Sequence, residues 1–366
     1  MKSWDVIIVG GGIIGLSLAL SLRKEGASVL IVEKSEPGRE ASHAAAGMLA
    51  HCEQSDALRE LACGSAKLYP EFVREIEDES GTKVDYRRDG TLLLRSGPEN
   101  EPSCEDAVHL SPSALAEMEP ILASNFDSGI FLPEASVDPR ALISAALKAA
   151  RRRGVDMSSG DAAQQINFLS FPSPSAVGVI TSKTRFPARA IVNCAGAWSG
   201  QIAGRPSLPT RPVKGHMLDL IPADRIVRHG RESTAPLLFR HVIRTPEVYL
   251  VPRKDGRIVV GSTVEEAGFD KRIDPDTIQT LFQSAANVLP ELGQAKIHET
   301  WTGLRPGTPD NLPILGATAI PNYYVATGHF RDGILLAPIT AKLMTQLIRG
   351  RQPDVDLAPF SPLRFG

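Results

Sequence analysis

The segment "DVIIVGGGIIGLSLALSLRKEGASVLIVEK", residues 5–34, constrains the fold more than any other part of the chain. Val6 to Val9 form a short apolar run suited to a buried parallel strand. Gly10, Gly12 and Gly15 follow at GxGxxG spacing, and Leu16 and Leu20 continue at helical spacing until Gly26. Ser28 to Val32 predict a second strand, with Glu33 and Lys34 at its C-terminal end. Each glycine has a physical reason. Gly10 permits a tight turn, Gly12 lets the backbone approach a pyrophosphate, and Gly15 lets the helix lie close on the strand. The helix start, with Ile13 and Ile14 in its first turn, offers free N–H groups and a positive dipole end to phosphate. Glu33 can accept hydrogen bonds from ribose hydroxyls and repels a 2′-phosphate. Strand, turn, helix and strand in this order predict a dinucleotide site. The bland alternative is a glycine-rich turn with a solvated glutamate.

The fingerprint does not decide between NAD and FAD. No second GxGxxG occurs, which disfavours an enzyme carrying both FAD and a nicotinamide. "EASHAAAGML", residues 40–49, is small and flexible enough to run along a flat cofactor, through Ser42, Ala45, Ala46, Gly47 and Met48. "AIVNCAGAWSG", residues 190–200, is a buried strand opening into a glycine turn that holds Ala195, Gly196 and Trp198. Both segments can also be read as tight helix–sheet packing. "TGHFRDGILLAP", residues 327–338, sets His329, Arg331 and Asp332 between two glycines ahead of an apolar helix expected to start near Ile334. Such a loop suits a negative group held at a helix N-terminus.

With 366 residues the chain has room for two domains, or one domain with a large insertion. Forty basic and forty-two acidic residues leave a net charge of -2, which gives no basis for nucleic-acid binding. Arg151 to Gly154 read as a helix end with its glycine cap rather than as a phosphate patch. Cys52, Cys63, Cys104 and Cys194 show no CxxC and no histidine-rich spacing, so no metal site or disulfide framework is expected and a reducing cytoplasm fits. The first apolar run is interrupted by four glycines and reads as the fingerprint, not a signal peptide. No uninterrupted apolar segment reaches membrane-spanning length, so a soluble cytoplasmic protein is expected.

These segments, in this order, resemble D-amino-acid-oxidase-like flavoproteins. "WTGLRPGTPDNLPILG", residues 301–316, with "GHFRDGILLAP" is most similar to the glycine oxidases of thiamine biosynthesis, and the resemblance spans essentially the whole chain. It implies an α/β fold: a Rossmann-like FAD-binding domain with an inserted antiparallel-sheet substrate domain. The expected division gives 1–85, 135–213 and 303–366 to the cofactor, and 86–134 and 214–302 to the substrate.

The pattern between the motifs agrees. A long amphipathic helix is predicted over about 56–79, and "VDYRRDGTLLLR" reads as two strands around Asp89-Gly90. "SPSALAEMEP" predicts a short helix capped by Ser111 or Ser113, and Asp138-Pro139 introduces a helix ended by Gly154. Strands dominate from Lys214 to Thr263. "SFPSPSAVG", residues 170–178, reads as a surface hairpin.

A flavin oxidising an amine needs the α C–H against N5, a clamp for the carboxylate, and stabilisation of charge growing on the reduced ring. Arg305 in "GLRPG" is the candidate clamp, because a guanidinium binds carboxylate through two parallel hydrogen bonds. A structural ion pair is its alternative role; the resemblance implies carboxylate binding. Tyr249 in "VYLVPR" matches a tyrosine of similar amino-acid oxidases and can share the carboxylate, though buried tyrosines often only pack. The resemblance places "GHFRDG" under the isoalloxazine, where His329, Asp332, Gly333, Ile334 and Arg331 approach the ring. Arg331 serves either flavin or substrate. No cysteine follows Cys194, and His43 is one residue out of step with histidine-linked relatives, so FAD is expected to be non-covalent. Glu247, two residues before Tyr249, stands where similar glycine oxidases can carry other polar residues.

The leading expectation is oxidation of glycine, sarcosine or short D-amino acids by molecular oxygen to 2-oxo acid, ammonia or amine, and hydrogen peroxide, with thiamine thiazole synthesis as the pathway. A homo-oligomer is compatible with it. One alternative is a dehydrogenase of a 2-hydroxy acid or cyclic imino acid passing electrons to a quinone, with His216, His241 or His329 as base in the hydroxy-acid case. The other is a flavoprotein whose cofactor only stabilises a binding module.

Overall fold

The computed structural model describes residues 2–94, 102, 104–122, 126, 128–169, 175–204, 206–223 and 237–365. The expected opening is present: strand β1 (Trp4–Val9), helix α1 (Ile13–Lys24) and strand β2 (Val29–Glu33). β1 pairs in parallel with β2 and with β12 (Arg185–Asn193). β9 (Asp156–Ser159) extends the parallel sheet beyond β2, and β19 (Tyr323–Thr327) extends it beyond β12. Ile7, Ile8 and Ile31 are fully buried, as expected where both faces of a parallel sheet are covered. α1, α3 (Asp56–Ser80), α5 (Pro139–Arg152) and α7 (Ala337–Ile348) share one hydrophobic core on this sheet.

A second sheet runs β17-β13-β16-β15-β14-β5-β7-β6, ending in β7 (Gly129–Leu132) and β6 (Val108–Leu110). Its long central pair, β13 (Arg211–Ile221) and β17 (Lys296–Gly307), is antiparallel. Beside β13 stand β16 (Ile258–Gly261), β15 (Tyr249–Pro252) and β14 (Val242–Arg244), each antiparallel to the last. β5 (Thr91–Leu94) joins β14 in parallel, a departure from the wholly antiparallel sheet expected. It arrives from a distant part of the chain, so no hairpin dictates its direction. Side chains alternate across the sheet. Leu218, Leu220, Leu250, Ile258 and Val260 pack with α6 (Pro275–Val288), while Met217, Val251 and Val259 pack with Ala46 on the other face. That second face becomes the wall of a cavity.

Strands β4 (Tyr86–Arg87) and β5 flank Asp89-Gly90 as expected, yet they enter different sheets. Ser111 caps α4 (Pro112–Met118), and Asp138 caps α5. Arg151 and Arg152 end α5, while Arg153 pairs with Glu79 and donates to the Leu20 carbonyl at 2.8 Å. That arginine cluster is structural. Residues 170–174 of the expected hairpin lie outside the described residues; β10 (Ala163–Leu169) and β11 (Ser175–Thr181), on either side, are antiparallel neighbours.

One helix starts later than its sequence suggests. The regular α7 begins at Ala337 instead of near Ile334. Turn bonds lead into it, from Asp332 N–H to the His329 carbonyl and from Leu336 N–H to the Asp332 carbonyl, both 2.8 Å. Pro338 explains the shift, since proline lacks an N–H and belongs in a first helical turn.

Candidate active site

The GxGxxG turn, the AAAGM segment, the NCAGAWS turn, the late GHFRDG loop and the second sheet enclose one cavity of about 1090 Å³. Every residue assigned from the sequence to FAD or to amine binding lines it except Gly15. Gly15 has the packing role expected of it, because a Cβ there would lie 2.0 Å from the Gly10 carbonyl oxygen. Gly10 has φ +109°, and a Cβ on it would lie 2.4 Å from the Cys194 carbonyl oxygen. β12 therefore presses directly on the turn.

The end near α1 fits a dinucleotide. A Cβ on Gly12 would meet only Ser42 Oγ, at 3.2 Å, so this backbone stands open to the cavity. Ser42 Oγ accepts from the Ile13 N–H at 3.0 Å, and the first turn of α1 carries no acidic side chain. The helix thus carries no acid of its own at its positive end. Glu33 is 9% exposed; it accepts from Gly11 N–H at 2.8 Å and from Ser35 N–H at 3.0 Å. Those bonds fix the carboxylate and leave lone pairs for ribose hydroxyls. Lys34 lies 3.1 Å from the centroid of the Trp198 ring and 3.2 Å from Glu40. The residues present fit FAD.

The opposite wall is built from β13, β15, β16 and β17. Met217 stands opposite both Trp301 and Gly261, Gly215 opposite Gly303, and Tyr249 opposite Gly261. Arg305 is partly buried; Nη1 donates to the Thr263 carbonyl at 3.0 Å, and Nη2 to Ser262 Oγ at 2.6 Å. Burial moves the Arg305 guanidinium below its ordinary range, with Tyr249 opposing. The Tyr249 hydroxyl donates to Met217 Sδ at 3.1 Å, a weak acceptor. Burial pushes this phenol up, against the pull of Arg305. Arg331, on the GHFRDG loop, is exposed on the cavity lining, and its charge acts on both Arg305 and Tyr249. Glu247 is also exposed on the cavity lining.

Within the GHFRDG loop, His329 is 3% exposed, with Nε2 at 3.1 Å from Thr340 Oγ1. Burial lowers its pKa to about 3. Asp332 accepts from Gln54 Nε2 at 3.1 Å, and burial raises its pKa to about 6.

Sequence reasoning missed the glycines of the second sheet. A Cβ on Gly215 would lie 2.3 Å from Arg305 Nη1, and one on Gly261 would lie 2.5 Å from the Tyr249 hydroxyl. Arg253 was also missed. It is buried, donates to the carbonyls of Val137 and Ala46, and ties the second sheet to the AAAGM segment. A glycine in a strand announces a close approach but not its partner, which only the strand register supplies.

Comparison with known proteins agrees with this construction. The chain is 31% identical to a glycine oxidase of Pseudomonas aeruginosa over 98% of both chains. It is 35% identical to a bifunctional protein ThiO/ThiG of Trichormus variabilis, covering 99% of this chain and 55% of that one. The chain therefore spans about half the length of such two-function relatives. Its structure superposes on that of a glycine oxidase from Geobacillus kaustophilus with a TM-score of 0.88 at 30% identity, covering 99% of this chain and 98% of the other. The family model for FAD dependent oxidoreductases of the DAO type matches residues 5–347, and the chain belongs to that family.

Proposed function

We propose that the chain is an FAD-dependent oxidase of glycine and similarly small amines, with FAD held non-covalently. One observation carries the reading: Arg305, Tyr249 and Arg331 line the same cavity as the GxGxxG turn, and the charge of Arg331 acts on both of the others. When bound, FAD supplies the two-electron chemistry, accepting hydride from the α carbon and passing the electrons to oxygen as hydrogen peroxide. Arg305 binds the substrate carboxylate with the N–H groups that Lys214, Thr263 and Ser262 leave open, and those three bonds hold the fork in place. Tyr249 exchanges its weak bond to Met217 for a carboxylate oxygen. Arg331 adds positive charge on the substrate side of the loop. The imine released hydrolyses to 2-oxo acid and ammonia or amine. Delivery toward thiamine thiazole synthesis is part of the proposal, supported by similarity to the ThiO/ThiG proteins.

The histidines favour an amine over a 2-hydroxy acid. His216 is engaged at both nitrogens, by Glu265 at 2.8 Å and by the Asp274 N–H at 3.0 Å. His241 Nδ1 bonds Glu119 at 2.6 Å, and neither histidine lines the cavity. His329 lines it, but its Nε2 is held against Thr340 Oγ1 and burial lowers its affinity for a proton. His43 is off the lining although Ser42 and Ala44 are on it, which supports non-covalent FAD.

The proposed cofactor unit comprises 1–85, 135–213 and 303–366, with 86–134 and 214–302 as the substrate unit; β13 and β17 run unbroken across the 213/214 and 302/303 boundaries. No helix among the described residues is long and apolar enough to cross a membrane. A cytoplasmic setting is proposed from the cysteines, which stand as thiols.

The test is a visible spectrum of the purified protein followed by a panel scored for peroxide. Glycine, sarcosine and D-alanine are expected to yield peroxide. Amines that leave the flavin oxidised, while a 2-hydroxy acid bleaches it, would contradict the proposal.

A further inference from the structure

Behind the cavity wall, the loop after β3 (Met48–Leu49) brings together three side chains that the proposed chemistry does not use. His51 Nδ1 lies 3.2 Å from the Leu49 carbonyl oxygen. Donating that proton leaves Nε2 with its lone pair, 3.9 Å from Cys52 Sγ. Glu134 is 2% exposed, and its Oε1 accepts the Cys52 N–H at 3.1 Å. Its Oε2 is buried without a hydrogen-bond partner. Arg244 Nη1 stands 3.7 Å away, while its Nη2 is committed to Glu53 at 2.9 Å. The Thr91 hydroxyl and Arg244 also pull on this carboxyl, but a buried carboxylate oxygen without a well-formed hydrogen bond is unfavourable unless something fills its place.

One ligand atom from each of His51, Cys52 and Glu134 lies within 4.8 Å of the other two. Tetrahedral zinc, with bonds of about 2.0–2.3 Å, needs donors roughly 3.3–3.8 Å apart. Closing the gap requires side-chain rotation of about an ångström. A nitrogen, a thiolate and a carboxylate suit a borderline-soft divalent ion better than magnesium or calcium.

We propose that His51 Nε2, Cys52 Sγ and a Glu134 carboxylate oxygen form a binding site for a divalent cation of the zinc type. Burial, the Cys104 thiol and Glu134 raise the Cys52 pKa, and burial raises that of Glu134 against the pull of Arg244. Zinc-type ions bind the thiolate form of cysteine, so binding is expected to strengthen as pH rises. The site touches the cavity only through its neighbours: Ala50, Glu53 and Gln54 are lining residues, and Gln54 donates to Asp332. A bound ion anchors that stretch without taking part in the chemistry. His51 and Cys52 are adjacent and Glu134 lies 82 residues on, so no spacing motif announces the site.

The experiment titrates chelator-washed, FAD-loaded protein with cobalt(II), then displaces it with zinc. About one equivalent per chain is expected, with a thiolate-to-metal charge-transfer band. Cys52→Ala should abolish the band, and Glu134→Gln should weaken affinity by about tenfold or more. Flavin content should remain unchanged in both. A wild-type protein that gives no band overturns the proposal, as does a band that survives Cys52→Ala. If Cys52→Ala does not fold, unchanged affinity in Glu134→Gln overturns it. Isolation of a Cys52–Cys104 disulfide in protein that takes up no cobalt overturns it in favour of a redox pair.

Discussion

The Arg305 guanidinium occupies the space that a side chain on Gly215 would need, since a Cβ there would lie 2.3 Å from Nη1. The obstructing group is the end of a flexible side chain, so Gly215→Ala should displace the fork and spare the strand. A shift of about 1 Å in a positioning group costs on the order of 100-fold in rate. The predicted result is a loss of that size in kcat/KM for glycine with flavin content intact. Steady-state kinetics beside the visible spectrum checks it, and unchanged efficiency contradicts it.

Tyr249 should contribute to holding substrate more than to the chemical step. Tyr249→Phe keeps the ring beside Met217 and removes only the hydroxyl. Loss of one hydrogen bond to a charged group, about 1.5–3 kcal/mol, raises KM for glycine by at least tenfold, with a smaller change in kcat. A variant whose KM matches the wild type would reduce Tyr249 to packing.

Gly12 separates cofactor binding from folding. The nearest obstacle to a Cβ there is Ser42 Oγ at 3.2 Å, which can rotate. Gly12→Ala should therefore cost the apoprotein about 1 kcal/mol or less. FAD affinity should fall by about tenfold or more, because the added methyl enters the phosphate path. Thermal melts of the apoprotein and FAD titration by fluorescence quenching measure the two effects separately. Full FAD affinity in the variant would move the phosphates away from this turn.

His329 and Asp332 should tilt stability in opposite directions with pH. The folded pKa of His329 is lowered from 6.5 to about 3, so its contribution is full above 6.5 and is lost as pH falls toward 3. That of Asp332 is raised from 3.8 to about 6, so stability is lost as pH rises from 3.8 to 6 and stays lower above it. Between about 4 and 6 the two slopes partly cancel. Asp332→Asn should leave a steeper fall in stability on acidification through that window, and His329→Asn a shallower one. Urea unfolding of the apoproteins from pH 4 to pH 7 reads both, and parallel curves for all three proteins would contradict the assignment.

Much of the cofactor end was legible because glycine spacing, a β–α–β pattern and a terminal acid are local signals. Gly10, Gly12, Gly15 and Glu33 could be assigned reasons before any contact was known. Arg305 and Tyr249 were legible only as chemically suitable residues within a resemblance. Their meeting depends on β13, β15, β16 and β17 aligning in register, a long-range fact. Gly215 and Gly261 were illegible for the same reason, since nothing local says which side chain fills their space. The late start of α7 was partly readable in Pro338, but the apolar run from Ile334 concealed it.

Anaerobic mixing of the holoenzyme with glycine, followed in the flavin spectrum for wild type and Arg305→Ala, tests the central claim most directly. The account predicts bleaching of the wild type. In the variant, the second-order reduction rate should be about a thousandfold slower with FAD still bound. A wild-type flavin that glycine leaves oxidised, or a variant reduced as fast as the wild type, would contradict it.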